Sequence, residues 1–481
     1  MYKEKLLKTK YIIIELFIWV LNSIYFYSRD NYDLASLQLL GFFSLLQLVY
    51  IIISWHGLTK SYFDAYIVFI VACYSFNLGQ PILEVFDAVA EARSIITHYH
   101  IELNTYAYAT YISTYFIGAF HIGAIIAAKR IAAIKSHTSY DDTYTLKLKA
   151  IFKVAAFFAV ISFPGYIVNT IINMVISATE GYAAIYSEGS SKIKILQLIG
   201  EYYAPAMICL YFSSTGLKRY RTIILSIIIV TIFFPPLFIG GRSNAIIILA
   251  VLSIIYFSFH NIKKKQIILL GVGGYVIAFI FAAIAGNRGN NNRDLEAMLK
   301  QDEEKGNPAL FTLTEMGGSI QPLIHCLDII PDNQDYRYGE SYLYATTTVI
   351  PNVGFWEVHP ATQKANLGNW LRDYLNLNYG PGFSIVAEAY YNFGPWGFLM
   401  MMILGFVFAK FFSKVNRSNF YDNPIKYIMA IVLLWLTIKM VRNSFEFVVR
   451  ALVYYYLPMY WLMNRSYRKS LNKHNLIQCR I

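Results

Sequence analysis

Long runs of apolar residues follow one another along most of the chain, separated by short polar segments. A helix needs about 20 apolar residues to cross a bilayer, and several of these runs reach that length. The pattern predicts about twelve spans, at 11–28, 34–55, 62–86, 104–128, 150–177, 193–215, 221–239, 243–260, 266–285, 383–412, 425–441 and 446–463. We therefore expect an all-α, polytopic integral membrane protein.

Basic residues are concentrated on one side of these spans. If the N-terminus is cytoplasmic, the other basic clusters are cytoplasmic as well: "AAKRIAAIKS", "LKRYR", "NIKKK", "KFFSKVNR" and the tail "RSYRKSLNKHN". The positive-inside rule then explains the formal net charge of +12 as a topology signal with some attraction to anionic lipids. The rule predicts two cytoplasmic termini. Nucleic-acid binding is not expected, because no basic face outside the spans is interleaved with base-stacking aromatic residues.

One connection is far longer than the others. Residues 286–382, here called the large loop, are predicted to lie on the extracytoplasmic side. Their segments "ALFTLTEMGGSIQPLIHCLDII" and "NLGNWLRDYLNL" have the spacing of short helices lying over the outer face. The chain therefore divides into N-terminal spans, the large loop, C-terminal spans and a cytoplasmic tail, at 1–285, 286–382, 383–463 and 464–481.

Polar residues form one face of the tenth predicted span. Ser384, Glu388 and Asn392 follow at four-residue spacing, which places them on the same side of a helix that continues as "FLMMMILGFVF". A charge at the centre of a membrane helix costs about 2.5 to 3.5 kcal/mol, so these side chains are predicted to face the protein interior.

A second charged stripe lies in "KMVRNSFEFVVRAL", where Lys439, Arg442, Glu446 and Arg450 would share one side if the segment is helical. Lys439 and Arg450 are either anion-binding groups or cations that reach for the interface. Arg442 is predicted to bind an anion at the outer face, together with Arg242, Arg288 and Arg450. Because arginine binds phosphate through paired hydrogen bonds, this convergence indicates a lipid-linked phosphate ligand.

Five segments carry a resemblance to a known family: "FNLGQPIL", "GGRSNAIIILAVL", "TEMGGSIQPL", "YGESYLYATTTVIPN" and "GFSIVAEAYYNFGPWGFLMM". From the third span onward the chain resembles the Wzy-type oligosaccharide repeat-unit polymerases of O-antigen and capsule assembly. The resemblance implies a fold similar to C-class membrane glycosyltransferases and to O-antigen ligases, in the bacterial inner membrane. It also implies an undecaprenyl-pyrophosphate-linked donor and acceptor, no nucleotide or other cofactor, and partners such as a chain-length regulator and a flippase.

Glycosyl transfer from a pyrophosphate carrier needs positive charge at the leaving group and an acceptor for the proton of the attacking hydroxyl. Arginines supply the first without a metal, so we expect metal-independent chemistry by Arg242 and Arg442, with Arg288 and Arg450 binding substrate. The candidate proton acceptors are Glu315, Glu388, His325 and His359. Glu388 either pairs with an arginine such as Arg242 or Arg442 or itself binds or deprotonates the acceptor sugar. Substrate-binding roles are also predicted for Ser384, Asn392, His325 and His359.

Three other classes remain open at this stage. An O-antigen ligase performs the same leaving-group chemistry on a different acceptor, and it is the nearest alternative. A flippase for lipid-linked units would typically show two similar halves, which the sequence lacks. A transferase that uses a polyprenyl-monophosphate sugar would need an acidic pair such as Asp30 and Asp33, which a short solvated loop explains equally well.

Overall fold

The computed structural model describes residues 2–62, 64–128, 142–181, 194–214, 218–239, 247, 249–254, 256, 307–352, 354–377, 380–412 and 417–478. Every regular element in these ranges is helical. The helices that precede the large loop are α1 Tyr2–Tyr27, α2 Leu34–Thr59, α3 Ala65–Asn77, α4 Gly79–Glu84, α5 Leu103–Ala127, α6 Asp142–Thr179, α7 Lys194–Gly200, α8 Tyr203–Ser213, α9 Lys218–Ile228 and α10 Phe234–Ile239.

Short helices fill the described part of the large loop, as the sequence predicts. They are α11 Pro308–Gly317, α12 Gln321–Ile329, α13 Glu340–Ala345, α14 Pro360–Lys364 and α15 Leu367–Tyr374. The C-terminal helices are α16 Ile385–Phe393, α17 Gly397–Phe412, α18 Arg417–Asp422, α19 Pro424–Thr437, α20 Glu446–Ala451 and α21 Leu457–Gln478.

Seven helical segments among the described residues are long and apolar enough to cross a membrane: Tyr2–Tyr27, Leu34–Thr59, Leu103–Ala127, Asp142–Thr179, Arg219–Ile239, Ile385–Phe412 and Pro424–Val441. These spans confirm a multi-pass membrane protein that is all-helical in the described part of the chain. The count of about twelve stays a prediction. The predicted span 266–285 and most of 243–260 lie outside the described residues.

Two predicted spans are each divided into two helices. The segment 62–86 contains α3 and α4 with Leu78 between them, and the segment 193–215 contains α7 and α8. Two other helices are longer than their predicted spans, since α1 and α6 begin before the apolar runs, at Tyr2 and Asp142. Their added turns contain Lys, Glu and Leu, which are good helix formers, so the helix continues beyond the apolar segment.

The described core is organised around α5 and α17. At Gly123 and Gly405 a Cβ atom would collide with backbone carbonyls of the facing helix, at Met402 and Phe120 respectively. Small residues of this kind let two membrane helices approach closely. Because α17 continues from α16, this contact holds the polar face of α16 at a fixed position relative to α5.

A bend at the motif "FGPWG" separates α16 from α17. Ser384 begins α16 as its N-cap, since its hydroxyl accepts a hydrogen bond from the Ala387 amide at 3.1 Å. Gly394 ends the helix at a φ of +56°, which favours glycine, and a single turn leads to α17.

Candidate functional site: a broken helix held by a buried carboxylate

The segment that contains Lys439, Arg442, Glu446 and Arg450 is interrupted. Helix α19 continues as a 3-10 turn over Ile438–Val441, and α20 begins only at Glu446. Residues 442–445 between them are irregular. The condition for one shared stripe, a continuous helix, is therefore not met, and the interruption falls between the predicted spans 425–441 and 446–463. The backbone of 442–445 bonds to other parts of the chain instead of continuing the helix.

Three contacts satisfy this irregular backbone and its neighbours. The Phe383 amide donates to the Arg442 carbonyl at 3.2 Å, and the Phe445 amide donates to Glu388 Oε2 at 2.6 Å. The Leu367 amide donates to Ser444 Oγ at 3.0 Å. Non-helical backbone is tolerated at membrane level only where the protein satisfies its polar groups. The break is therefore stabilised by hydrogen bonds to both α16 and α15.

Glu388 is the centre of the arrangement. Its side chain is fully buried, and Oε1 accepts a hydrogen bond from the Ser341 hydroxyl at 2.6 Å while Oε2 accepts from Phe445. Asn392, one turn further along α16, donates to Ser341 Oγ at 2.8 Å and to the Glu388 carbonyl at 2.8 Å. One carboxylate therefore ties α16 to α13 of the large loop and to the break.

The polar face of α16 is used within the protein. Ser384 caps the helix, and Asn392 accepts from the Ser341 amide at 3.3 Å besides its two donated bonds. Both side chains are fully buried. The structure therefore brings Ser384, Glu388 and Asn392 together as predicted, in an arrangement that favours positioning over direct contact with substrate.

Charged residues surround the break. The Arg442 side chain is exposed and forms no ion pair with a described residue, including Glu388. Arg450 Nη2 lies 3.9 Å from Glu201 Oε1. The charges of Lys439 and Glu201 are also close enough to interact. Arg442 is therefore the cation at the break that remains available to an external anion.

Glu446 is the residue in this region that the sequence reasoning left without a role. It is buried at the first position of α20, and its carboxylate lies within electrostatic range of both Glu388 and Arg450. The position of Glu446 in the charged stripe was the available sequence signal. The stripe alone is explained equally well by a simple ion pair between Glu446 and a neighbouring arginine.

A second polar cluster joins two of the family-like motifs. The buried Gln80 side chain donates to the carbonyls of Thr314 at 2.8 Å and Arg93 at 2.9 Å, and it accepts from the Ile95 amide at 2.9 Å. Gly317 packs against the Gln80 backbone, where a Cβ atom would collide. These contacts fix α11 on α4.

Glu315 is a half-buried residue of this same helix α11. The Arg93 guanidinium lies 5.8 Å from the centre of the Phe311 ring, one helical turn before Glu315. Arg93 is therefore a cation beside α11. The sequence reasoning did not single it out, because it lies in a short connection without a motif.

The two candidate histidines have different surroundings. His359 caps α14 because its Nδ1 accepts from the Ala361 amide at 3.1 Å, so its Nε2 carries the hydrogen that it donates to the Ile350 carbonyl at 2.9 Å. His325 is half-buried on α12, which packs against α16. Burial lowers the pKa of His325, with Asp328 acting in the opposite direction, so its imidazole is neutral at pH 7.

Two predicted site residues, Arg242 and Arg288, lie outside the described residues. Among the residues that are described, no three His, Cys, Asp or Glu side chains converge as a metal site. Ser341 and Gln80 are described residues that the sequence reasoning did not assign. Both lie inside the motifs "YGESYLYATTTVIPN" and "FNLGQPIL", which was the available signal.

Fold and site together define a multi-pass membrane protein whose polar centre is a broken helix covered by a helical loop. The chain belongs to the O-antigen polysaccharide polymerase Wzy family, whose model matches residues 10–475. It is 22% identical over 452 residues to Protein CapE of Staphylococcus aureus. The alignment covers 92% of this chain and 93% of that protein. No solved structure matches the chain. Family membership confirms the resemblance to repeat-unit polymerases, while the likeness to C-class glycosyltransferases stays a prediction.

Proposed function

We propose that this chain polymerises undecaprenyl-pyrophosphate-linked oligosaccharide repeat units by glycosyl transfer at the extracytoplasmic face of the bacterial inner membrane. The observation that carries the proposal is the break at 442–445. It leaves Arg442 exposed at the end of a membrane-spanning segment while the neighbouring carboxylate of Glu388 is bonded to neutral donors. The product is an O-antigen or a capsular polysaccharide.

In the proposed reaction the anomeric carbon of the growing glycan loses its bond to the pyrophosphate oxygen of the carrier. A hydroxyl oxygen of the next lipid-linked unit forms the new glycosidic bond, and its proton passes to a base. Negative charge increases on the departing pyrophosphate in the transition state. Cleavage of the glycosyl ester to pyrophosphate supplies the driving force, since the carrier leaves as intact polyprenyl pyrophosphate, and the reaction as written uses no nucleotide.

Arg442 is the described arginine best suited to stabilise the leaving group. Its guanidinium is always charged and presents paired donors to phosphate oxygens. Arg450 has a carboxylate neighbour in Glu201 and serves the substrate less directly. Arg242 and Arg288 remain proposed members of the same cationic group.

Among the candidate proton acceptors, the contacts argue against Glu388 and His359, and Glu315 and His325 remain the proposed candidates. Glu388 is fully buried with each oxygen already hydrogen-bonded, and both ring nitrogens of His359 are engaged. His325 is neutral at pH 7 and half-buried, so it can accept a proton. Glu388 then acts as the residue that holds the break in place, with Ser384 and Asn392 in support.

Deleting the gene in the host bacterium and separating its surface glycan by gel electrophoresis tests the proposed function. A polymerase predicts single repeat units on the carrier or the core, with long chains restored by the wild-type gene. Loss of all core-linked glycan would indicate a ligase instead. Accumulation of lipid-linked units in the cytoplasmic leaflet would indicate a flippase. A chain-length regulator is an expected partner, and its deletion should alter chain length without abolishing polymerisation.

A further inference from the structure

Exposed apolar side chains are concentrated on one edge of the large loop, here called the apolar rim. Its members are Leu343, Val349, Ile350, Phe355 and Val358, with exposed fractions of 68%, 39%, 47%, 71% and 54%. Between Ser341 and Val358 the sequence contains one charged residue, Glu357. An exposed apolar surface of this kind marks an interaction site in a folded protein.

Local hydrogen bonds hold the rim in its outward position. Asn352 Oδ1 accepts from the amides of Gly354 and Trp356, each at 3.2 Å, and its Nδ2 donates to the Trp356 carbonyl at 2.8 Å. His359 closes the same segment through its bond to the Ile350 carbonyl at 2.9 Å. The rim is therefore a built loop, whose apolar side chains point away from the core.

The rim is continuous with a second exposed apolar surface, on the last predicted span, 446–463. The Tyr454 hydroxyl donates to the Val349 carbonyl at 3.1 Å, and the turn Thr346–Val349 packs against α20. The helical segment that contains Tyr454 exposes Phe447, Leu457 and Trp461, with exposed fractions of 42%, 51% and 57%. Large apolar residues on the outside of a predicted membrane segment contact acyl chains.

We propose that the apolar rim inserts into the bilayer leaflet on the side of the large loop. Its partner is the lipid surface itself, with the rim side chains at the level of the upper acyl chains and Glu357 among the headgroups. Trp356 belongs at that interface, where aromatic residues of membrane proteins are enriched. This inference does not depend on the proposed function.

Membrane insertion of the rim would fix the depth of the site. The rim follows directly from α13, which contributes Ser341 to the carboxylate of Glu388. Anchoring the rim therefore holds α13, and with it the break at 442–445, at the level of lipid headgroups. That is where the phosphate of any lipid-linked ligand would lie.

Site-specific fluorescence in proteoliposomes tests the insertion. The full chain carrying Cys479→Ser and Phe355→Cys is labelled with an environment-sensitive thiol probe, since Cys73, Cys209 and Cys326 are buried. The matched control is Asp332→Cys, an exposed position of the same loop. We expect the probe at 355 to emit at shorter wavelength and to be quenched several-fold more strongly by lipids with acyl-chain spin labels.

Two results would overturn the inference. Emission typical of water at position 355, with no more lipid quenching than at 332, would place the rim in solvent. Shielding of the probe that appears only at high protein-to-lipid ratio would show that a second copy of the chain covers the rim. Labelling of the Cys479→Ser background alone gives the correction for the buried cysteines.

Discussion

Replacing Glu388 separates a positioning role from a catalytic one. Glutamine can keep one contact and reverse the other: its carbonyl oxygen can face the Phe445 amide, while its amide group would donate to Ser341 Oγ, which is the donor to Glu388 in the wild type. The change from charge-assisted to neutral hydrogen bonds weakens each by about 1 kcal/mol. If Glu388 positions the break, Glu388→Gln should therefore slow polymerisation by roughly thirtyfold, from about 2 kcal/mol at about 1.4 kcal/mol per factor of ten.

Glu388→Ala gives the contrasting case. It removes both acceptors and leaves the Phe445 amide without its partner beside a membrane-spanning segment, a loss of about 3 to 6 kcal/mol from two charge-assisted bonds. We expect the alanine variant to have no measurable activity and reduced protein level. If Glu388 were instead the general base, both variants would lose polymerisation rate equally, by a factor of about 10² to 10⁴.

The assay uses lipid-linked repeat units extracted from the deletion strain and purified protein in proteoliposomes, with initial rates read from glycan length. Glu15→Gln is the matched control, since Glu15 is another fully buried membrane carboxylate, with a 2.6 Å bond from Gln47. It should leave the polymerisation rate close to wild type. A well-folded Glu388→Gln protein as inactive as the alanine variant would refute the positioning role and make Glu388 the base.

Three further predictions follow from the same geometry. Arg442→Ala should lower the rate by about 10² to 10³ at normal protein level, as for other donors to a developing anion, and Arg442→Lys should restore little; near-normal chains in the alanine variant would make Arg442 an interfacial anchor only. Gly317→Ala should destabilise the protein by about 1 to 3 kcal/mol in thermal unfolding, because its Cβ collides with Gln80, whereas an unchanged midpoint would show that α11 shifts freely. Reporter fusions after Asn333 and Lys473 should report extracytoplasmic and cytoplasmic locations; a cytoplasmic Asn333 would reverse the proposed side of the reaction.

Hydrophobic spacing was sufficient to predict the helical class, most of the long helices in the described part of the chain and the inward polar face of α16. All three depend on local periodicity, which the sequence shows directly. Ser384, Glu388 and Asn392 lie on one buried face because a charged or polar residue in a membrane helix must find partners inside the protein. The same reasoning could predict that Glu388 has partners, but not which ones.

The partners that stabilise the break at 442–445 could not be predicted because they are distant in the chain. The spacing of Lys439, Arg442, Glu446 and Arg450 is fully compatible with a helix, and the break is stabilised by Glu388, which lies 57 residues before Phe445. Ser341 is 47 residues before Glu388. Periodicity in one segment carries no information on such partners, so the apolar runs predicted an interruption between 441 and 446 but not the contacts that stabilise it.

The partners of Glu388 also explain why Arg442 remains exposed. A buried carboxylate near an arginine would ordinarily form an ion pair, and a paired arginine would attract an external phosphate less strongly. Here the two carboxylate oxygens are bonded to a serine hydroxyl and a backbone amide, both neutral. Glu388 Oε2 lies at the start of the helical segment that begins with α20, where it accepts from the Phe445 amide just before that helix. Glu388 can therefore hold the break together while the positive charge of Arg442 stays available to a phosphate.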